Sequence, residues 1–156
     1  MKAIVLAGSR GIGKGIADSL ESFNNNLRWP QWEITRTSSK ELDTSDVSSV
    51  DKFIKKNPTT DVLVLNTGGP PSQKFKEITK EDCDKYHNQL FYSFFKILQN
   101  IKINKGGYIF LVSSFNVKEP DGKLLLSNAY RIAFISVLKC LSKEFAAKNI
   151  TTINIA

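Results

Sequence analysis

The sequence predicts an α/β fold, a doubly wound parallel sheet covered by helices on both faces. Three observations predict it. Short apolar runs alternate with stretches of helical period along the whole chain. The first run, residues 3–7, is followed at once by Gly8, Gly11 and Gly13, and then by an apolar stripe. The connections between strands carry helices, and parallel neighbours need such crossovers. A length of 156 residues suits one compact domain, and no repeat, low-complexity tract or linker divides residues 1–156.

Ala3-Ile4-Val5-Leu6-Ala7 reads as a buried strand. Ile12, Ile16, Leu20 and Phe23 recur at steps of four, four and three, so a helix follows. Residues 24–31 are polar with a proline and read as a loop. Trp32 to Thr37 makes a second strand, and Glu41-Leu42-Asp43 a short third one. Ser45 is placed to cap a helix bearing Val47, Val50, Phe53 and Ile54. Val62 to Leu65 is a buried strand ending in the turn Asn66-Thr67-Gly68-Gly69-Pro70-Pro71. Thr79 with Asp82 resembles a capping box and opens a helix to about Ile101. Gly106-Gly107 breaks the chain before the strand Tyr108 to Val112. A long helix from Ser127 to Lys148 and a final strand from Ile150 to Ile155 follow. The expected strand order is 3-2-1-4-5-6, with the glycine turn at the carboxyl edge of the first strand.

Composition narrows the function classes. With two cysteines in no metal-like spacing and one histidine, His87, structural zinc and multi-histidine metal sites are excluded. Apolar runs under ten residues fall short of a membrane span, and no leader segment is visible, so a reduced, cytoplasmic setting is expected. The net charge of +7 suggests an anionic partner, or simply a solvated lysine-rich surface. The lysines are scattered and form no basic stripe with interleaved aromatics, which argues against nucleic acid.

A helix start presents free N–H groups and the positive end of a dipole, which suits a phosphate. Glycines let the backbone turn and approach closely. Leu6-Ala7-Gly8-Ser9-Arg10-Gly11-Ile12-Gly13 resembles the Thr-Gly-x-x-x-Gly-x-Gly turn of the short-chain dehydrogenase/reductase family, with Ala7 at the first glycine. Asp43 resembles the family's adenine-side aspartate, and Leu65-Asn66-Thr67-Gly68 its Asn-Asn-Ala-Gly. Ser113-Ser114 ends a strand where the family places its active-site serine. Glu144 and Lys148 to Thr151 resemble its last helix and sixth strand. The motifs run in order over nearly the whole chain.

That resemblance implies a Rossmann-type, three-layer domain binding a nicotinamide dinucleotide and acting on a small carbonyl or alcohol. The alternative is a non-catalytic dinucleotide-binding or interaction protein derived from the family. Cofactor-binding positions carried over are Ala7, Gly8, Ser9, Arg10, Gly11, Ile12, Gly13, Arg36, Thr37, Asp43, Asn66, Thr67 and Gly68. Arg10 is read as a contact to the 2′-phosphate of NADP or as a surface arginine. Arg36 and Thr37 support NADP; Glu33, twenty positions after Gly13, would favour NAD. Asn66 either meets the cofactor or braces the sheet.

The catalytic positions depart from the family pattern. Thirteen positions after Ser114, where the family has tyrosine, stands Ser127; four further, in place of lysine, stands Arg131. Ser114, Ser127 and Arg131 are therefore the catalytic candidates. Ser127-Asn128-Ala129-Tyr130-Arg131 looks like a divergent branch of the family. Tyr130 lies three positions late, a turn of roughly 300° on a helix. Leu90 falls at the family's helical asparagine, with Asn88 two residues earlier. A serine hydroxyl is a far weaker acid than a phenol, so little standard carbonyl reduction is expected. His87 and the run Phe91 to Phe95 read as packing or interface residues. The resemblance implies a homo-oligomer paired through helices 80–101 and 127–148. The family continues past its sixth strand with a Pro-Gly turn, a lid and a seventh strand; ending at Ala156 implies a truncated relative or a natural minimal form, with an exposed edge strand.

Overall fold

The computed structural model describes residues 1–26, 28 and 30–156. The predicted loop at 24–31 thus falls partly outside the described residues. Among the described residues, five strands form one parallel sheet: β1 (Lys2–Val5), β2 (Glu33–Arg36), β3 (Thr59–Leu65), β4 (Lys102–Val112) and β5 (Thr151–Ile155). Their spatial order is β2-β1-β3-β4-β5. The helices are α1 (Gly11–Ser22), α2 (Val47–Lys56), α3 (Lys80–His87), α4 (Ser93–Asn100) and α5 (Leu125–Ala147).

Alternation along the strands sorts the core into two layers. Ile4, Leu6, Leu63, Leu65, Ile109 and Leu111 face α2, α4 and α5, and meet Val50, Phe53, Phe94, Ile97, Phe134 and Leu138. Ala3, Val5, Val62, Val64 and Val112 face the other way, against Ala17, Ile16 and Leu20 of α1. Among the described residues α1 is the only helix on that side. Tyr108, Ile153 and Ile155 of β4 and β5 are consequently exposed. Helix α5 is long and apolar enough to cross a membrane by length and composition alone; here its Phe134 and Leu138 pack on the sheet.

The expected third strand does not form, so the expected order loses its outermost member. Leu42 turns into the core instead, and the Asp43 carboxylate accepts from the Ser45 N–H and hydroxyl in a tight turn. That turn makes Asp46, not Ser45, the cap of α2; its carboxylate accepts from the Ser48 N–H at 2.9 Å. The Thr79–Asp82 capping box is present as expected. The single helix expected from Thr79 to Ile101 is interrupted by a π turn at Asn88–Tyr92. Strand β4 starts six residues earlier than expected, at Lys102. Its register against β3 shifts between Thr60 and Val62, and Gly106 adopts φ +81° there. A Cβ on Gly107 would press on the Asp61 carbonyl and lie 2.8 Å from the Asn104 carbonyl, so this bulge needs glycine.

The same bulge holds Asp61. Its carboxylate accepts from the Asn104 amide at 2.7 Å and from the Lys2 N–H at 2.6 Å, and these bonds hold the carboxyl below the usual carboxylate range. A depressed folded pKa adds stability above the unfolded value, about 3.9, and that stability is lost as pH falls through the folded value. Asp61→Ala is therefore expected to destabilise at pH 7, and by less at an acid pH well below the unfolded value of about 3.9. Urea unfolding at both pH values checks this; an equal deficit at both would contradict it.

Candidate functional site

The strand order reverses direction between β1 and β3, since β1 leads to β2 on one side and β3 to β4 on the other. In open α/β sheets ligands sit at the carboxyl ends of the strands beside such a point. A cleft of about 490 Å³ lies there. From the end of β1 it is lined by Leu6, Ala7, Ser9 and Arg10; from β2 by Thr37, Ser38, Ser39 and Lys40; from the next loop by Asp43, Thr44 and Ser45; and from β3 by Asn66, Thr67 and Gly68.

The glycine turn is shaped for close approach. Gly11 adopts φ +55°, and Ala7, at φ +47°, is a non-glycine residue in the same left-handed region. The Ala7 N–H donates to Thr37 Oγ1 at 3.0 Å, tying the turn to the end of β2. A Cβ on Gly13 would overlap the Ala7 carbonyl and lie 2.8 Å from Asn66 Nδ2. Helix α1 thus starts tight against β1 and the Asn66 side chain. No acidic residue stands in its first turn, and Arg10, its N-cap, makes no capping side-chain hydrogen bond. The positive end of α1 is left open toward an anion.

The structure gathers most of the expected cofactor positions, with three qualifications. Gly8, Gly11 and Gly13 shape the turn through the backbone and do not line the cleft. The Ile12 side chain, 65% exposed, points to the open apolar face beside α1. Arg36 stands apart from the cleft. It pairs with Val5 in register, so it projects to the α1 face, where Asp18 and Glu21 take its guanidinium. Arg10 carries no ion pair among the described residues.

Outside this cleft, beyond Thr67 and near the carboxyl ends of β3 and β4, Arg131 ties three segments together. Its Nε donates to Ser127 Oγ at 3.1 Å. Its two terminal nitrogens donate to the carbonyls of Val112 and Ser113, both at 3.2 Å, and of Thr67 at 3.3 Å. No carboxylate pairs with it among the described residues, and burial pulls its guanidinium below the ordinary value. Arginine stays charged there all the same, so the site holds a fixed, uncompensated positive charge. Ser127 is 7% exposed; as acceptor for Arg131, its hydroxyl proton stays available to donate. Ser114 Oγ accepts from the Asn116 N–H and starts the short turn Phe115–Val117. Tyr130 is not brought in. Its hydroxyl donates to the Cys83 carbonyl of α3 at 3.1 Å, and burial, with Cys83 and Asp84, pushes its phenol up.

The structure adds residues that the sequence patterns do not single out. Ser39 and Lys40 enter the cleft because the loop after β2 folds back under the glycine turn. Gln89 enters through the π turn and donates to the Gly68 carbonyl at 2.8 Å. A helical period of 3.6 cannot place a residue inside a π turn. The Asn66 side chain makes no hydrogen bond among the described residues and faces the start of α1.

No curated protein sequence matches this one. Solved structures match over nearly the whole chain. A double variant of a Serratia marcescens short-chain dehydrogenase/reductase superposes with a TM-score of 0.84 at 22% identity, covering 98% of this chain and 76% of that one. A protein named BdcA, crystallised with NADPH, gives 0.82 at 20% identity, over 98% and 68% of the two chains. A short-chain dehydrogenase from Burkholderia cenocepacia, crystallised with NADP, gives 0.82 at 22% identity, over 97% and 71%. At these identities the likeness is one of fold. The sequence model of the short chain dehydrogenase family, however, matches residues 1–156, and the chain belongs to that family.

Proposed function

We propose that this protein is an NADP-binding oxidoreductase of the short-chain type, acting on a small carbonyl or alcohol with a serine–arginine pair in place of a phenol. The observation that carries the reading is the cleft, which Arg10 from the glycine turn and Lys40 from the loop after β2 both line, with the Arg131–Ser127 pair lying beyond Thr67, whose carbonyl accepts from Arg131. NADP-bound structures of the same fold support the choice of cofactor. Arg10, Lys40 and the Ser39 hydroxyl would take the 2′-phosphate. Ser38 is already engaged, its N–H and hydroxyl both donating to the Glu41 carboxylate. Asp43 and Thr44 would flank the adenosine, and the α1 start with Ser9 would take the pyrophosphate.

When bound, the nicotinamide supplies or accepts a hydride. The Ser127 hydroxyl donates a hydrogen bond to the substrate oxygen. The half-buried Arg131 charge, held in place by its hydrogen bonds, stabilises the alkoxide as it forms, because it needs little reorganisation. Arg131 holds its protons throughout, so the alkoxide proton comes from solvent. Loss of a matched general acid costs about 10²–10⁴-fold, and slow turnover follows. Dimer formation through α3, α4 and α5 and a reducing, cytoplasmic setting belong to the same proposal; Cys83 and Cys140 are free thiols.

The test pairs binding with turnover. NADP is expected to bind more tightly than NAD, and Arg10→Ala to lower NADP affinity about 10- to 150-fold, the range of one charge-assisted bond of roughly 1.5–3 kcal/mol. NAD affinity should barely change. A panel of ketones and aldehydes is expected to show slow NADPH oxidation, abolished in Ser127→Ala. Equal wild-type affinity for NAD and NADP would refute the cofactor assignment. Turnover untouched by Ser127→Ala would refute the serine's role.

A further inference from the structure

Because Glu41-Leu42-Asp43 forms no strand, β2 is an edge of the sheet. Its Glu33 and Thr37 N–H groups donate to the Met1 and Val5 carbonyls of the β1 side. Strand alternation then turns the main-chain N–H and C=O groups of Ile34 and Arg36 outward, where nothing among the described residues pairs with them. Beside this edge runs a groove of about 580 Å³, floored by Phe53 and walled on the far side by α2. That volume lies in the usual ligand-site range, roughly 300–1,000 Å³.

Cations outnumber carboxylates in the groove. Lys52 and Lys56 stand one turn apart on α2, and Lys40 faces them from the loop after β2. None of the three has an ion pair among the described residues. Like charges four apart on a helix repel each other unless an anion stands between. Two carboxylates share the groove and keep their charge, Glu41 accepting from Ser38 and Asp46 from the Ser48 N–H, so the lysines are in excess rather than alone. An unpaired edge strand beside a helix is the geometry of strand addition, in which main-chain bonds hold an extended peptide and alternate side chains meet the groove.

We propose that the β2–α2 groove binds an extended acidic peptide, which adds to the sheet at Ile34 and Arg36 and sets every second side chain against Lys52 and Lys56. A second copy of the chain fits poorly, because β2 against β2 would bring both sets of lysines together on chains of net charge +7. A nucleic acid would satisfy the lysines but would leave the strand edge unpaired.

The experiment uses the full chain and a fluorescein-labelled octapeptide of alternating Glu and Val, read by fluorescence anisotropy. The same peptide with alternate backbone nitrogens methylated is the control for strand addition. Binding is expected to weaken at least about tenfold in Lys52→Glu/Lys56→Glu, and likewise with the methylated peptide. Hydrogen exchange should slow at the Ile34 and Arg36 amides when the peptide is added, which reports the edge itself independently of the variant. NADP affinity of the double variant shows that it is folded. Peptide binding without protection at Ile34 and Arg36, binding unchanged in the double variant, or tighter binding of a single-stranded DNA octamer at the same lysines would each overturn the proposal. So would a concentration-dependent dimer that the double variant abolishes.

Discussion

Arg131→Ala is expected to lower stability by about 2–4 kcal/mol and to abolish turnover, while NADP binding falls only modestly. The stability loss comes from where the guanidinium sits. Four of its donors reach Ser127, Val112, Ser113 and Thr67, so one side chain ties the loop after β3, the end of β4 and helix α5. Hydrogen bonds to a charged group contribute roughly 1.5–3 kcal/mol each, but bonds that share one side chain do not add. For a chain of this length a loss of that size lowers Tm by about 5–15 °C. The catalytic loss comes from the charge, which has no carboxylate to offset it. Arg131→Lys separates the two roles. It keeps a charge but cannot span three carbonyls with a rigid fork, so it should recover some turnover and little of the stability. Thermal unfolding and NADPH oxidation measured on both variants give the answer. Full stability in Arg131→Ala would mean that the bridge holds nothing together.

Gly13→Ala is expected to cost about 1–3 kcal/mol and more than tenfold in NADP affinity. The added methyl would overlap the Ala7 carbonyl and crowd Asn66 Nδ2, both of which bound the mouth of the cleft. The start of α1 would have to move away from β1, taking the N–H groups that face the phosphate with it. Gly15, two residues further along α1, is the matched control. Nothing lies within 4 Å of a Cβ there, so Gly15→Ala should stabilise the helix by about 0.5–1 kcal/mol and leave NADP affinity unchanged. Chemical denaturation and cofactor titration of the pair check both statements. Equal behaviour of the two variants would show that close packing at Gly13 is not what shapes the turn.

Much of the architecture was legible because its signals are local. The runs at 3–7 and 62–65 are apolar on both faces and short, which marks strands covered on both sides. The Thr79–Asp82 capping box and the helical stripes lie within a few residues of each other, so spacing alone finds them. The errors fall where a local pattern met a distant competitor. Leu42 reads as strand, but burial in the core removes it from the edge of β2. The Gly106-Gly107 pair reads as a break, whereas β4 runs through it as a bulge around the Asp61 carbonyl. For Arg36, read as a phosphate contact, the sequence does not show that two carboxylates of α1, fifteen and eighteen residues away, take its guanidinium.

The parallel α/β class, the family and the glycine turn at the end of β1 could be read along the chain, because they depend on period, turn chemistry and residue order. The family resemblance also sets Ser127 and Arg131 at the positions where a phenol and an amine are expected. What those two side chains touch came from long-range packing. Arg131 became a charged bridge because β3 and β4 end side by side and turn their carbonyls toward α5. Tyr130, one residue earlier, was carried around the helix to the Cys83 carbonyl. The open edge of β2 was likewise decided in three dimensions: burying Leu42 removed apolar surface from water, and a strand of three residues at the margin of the sheet would have left it half exposed.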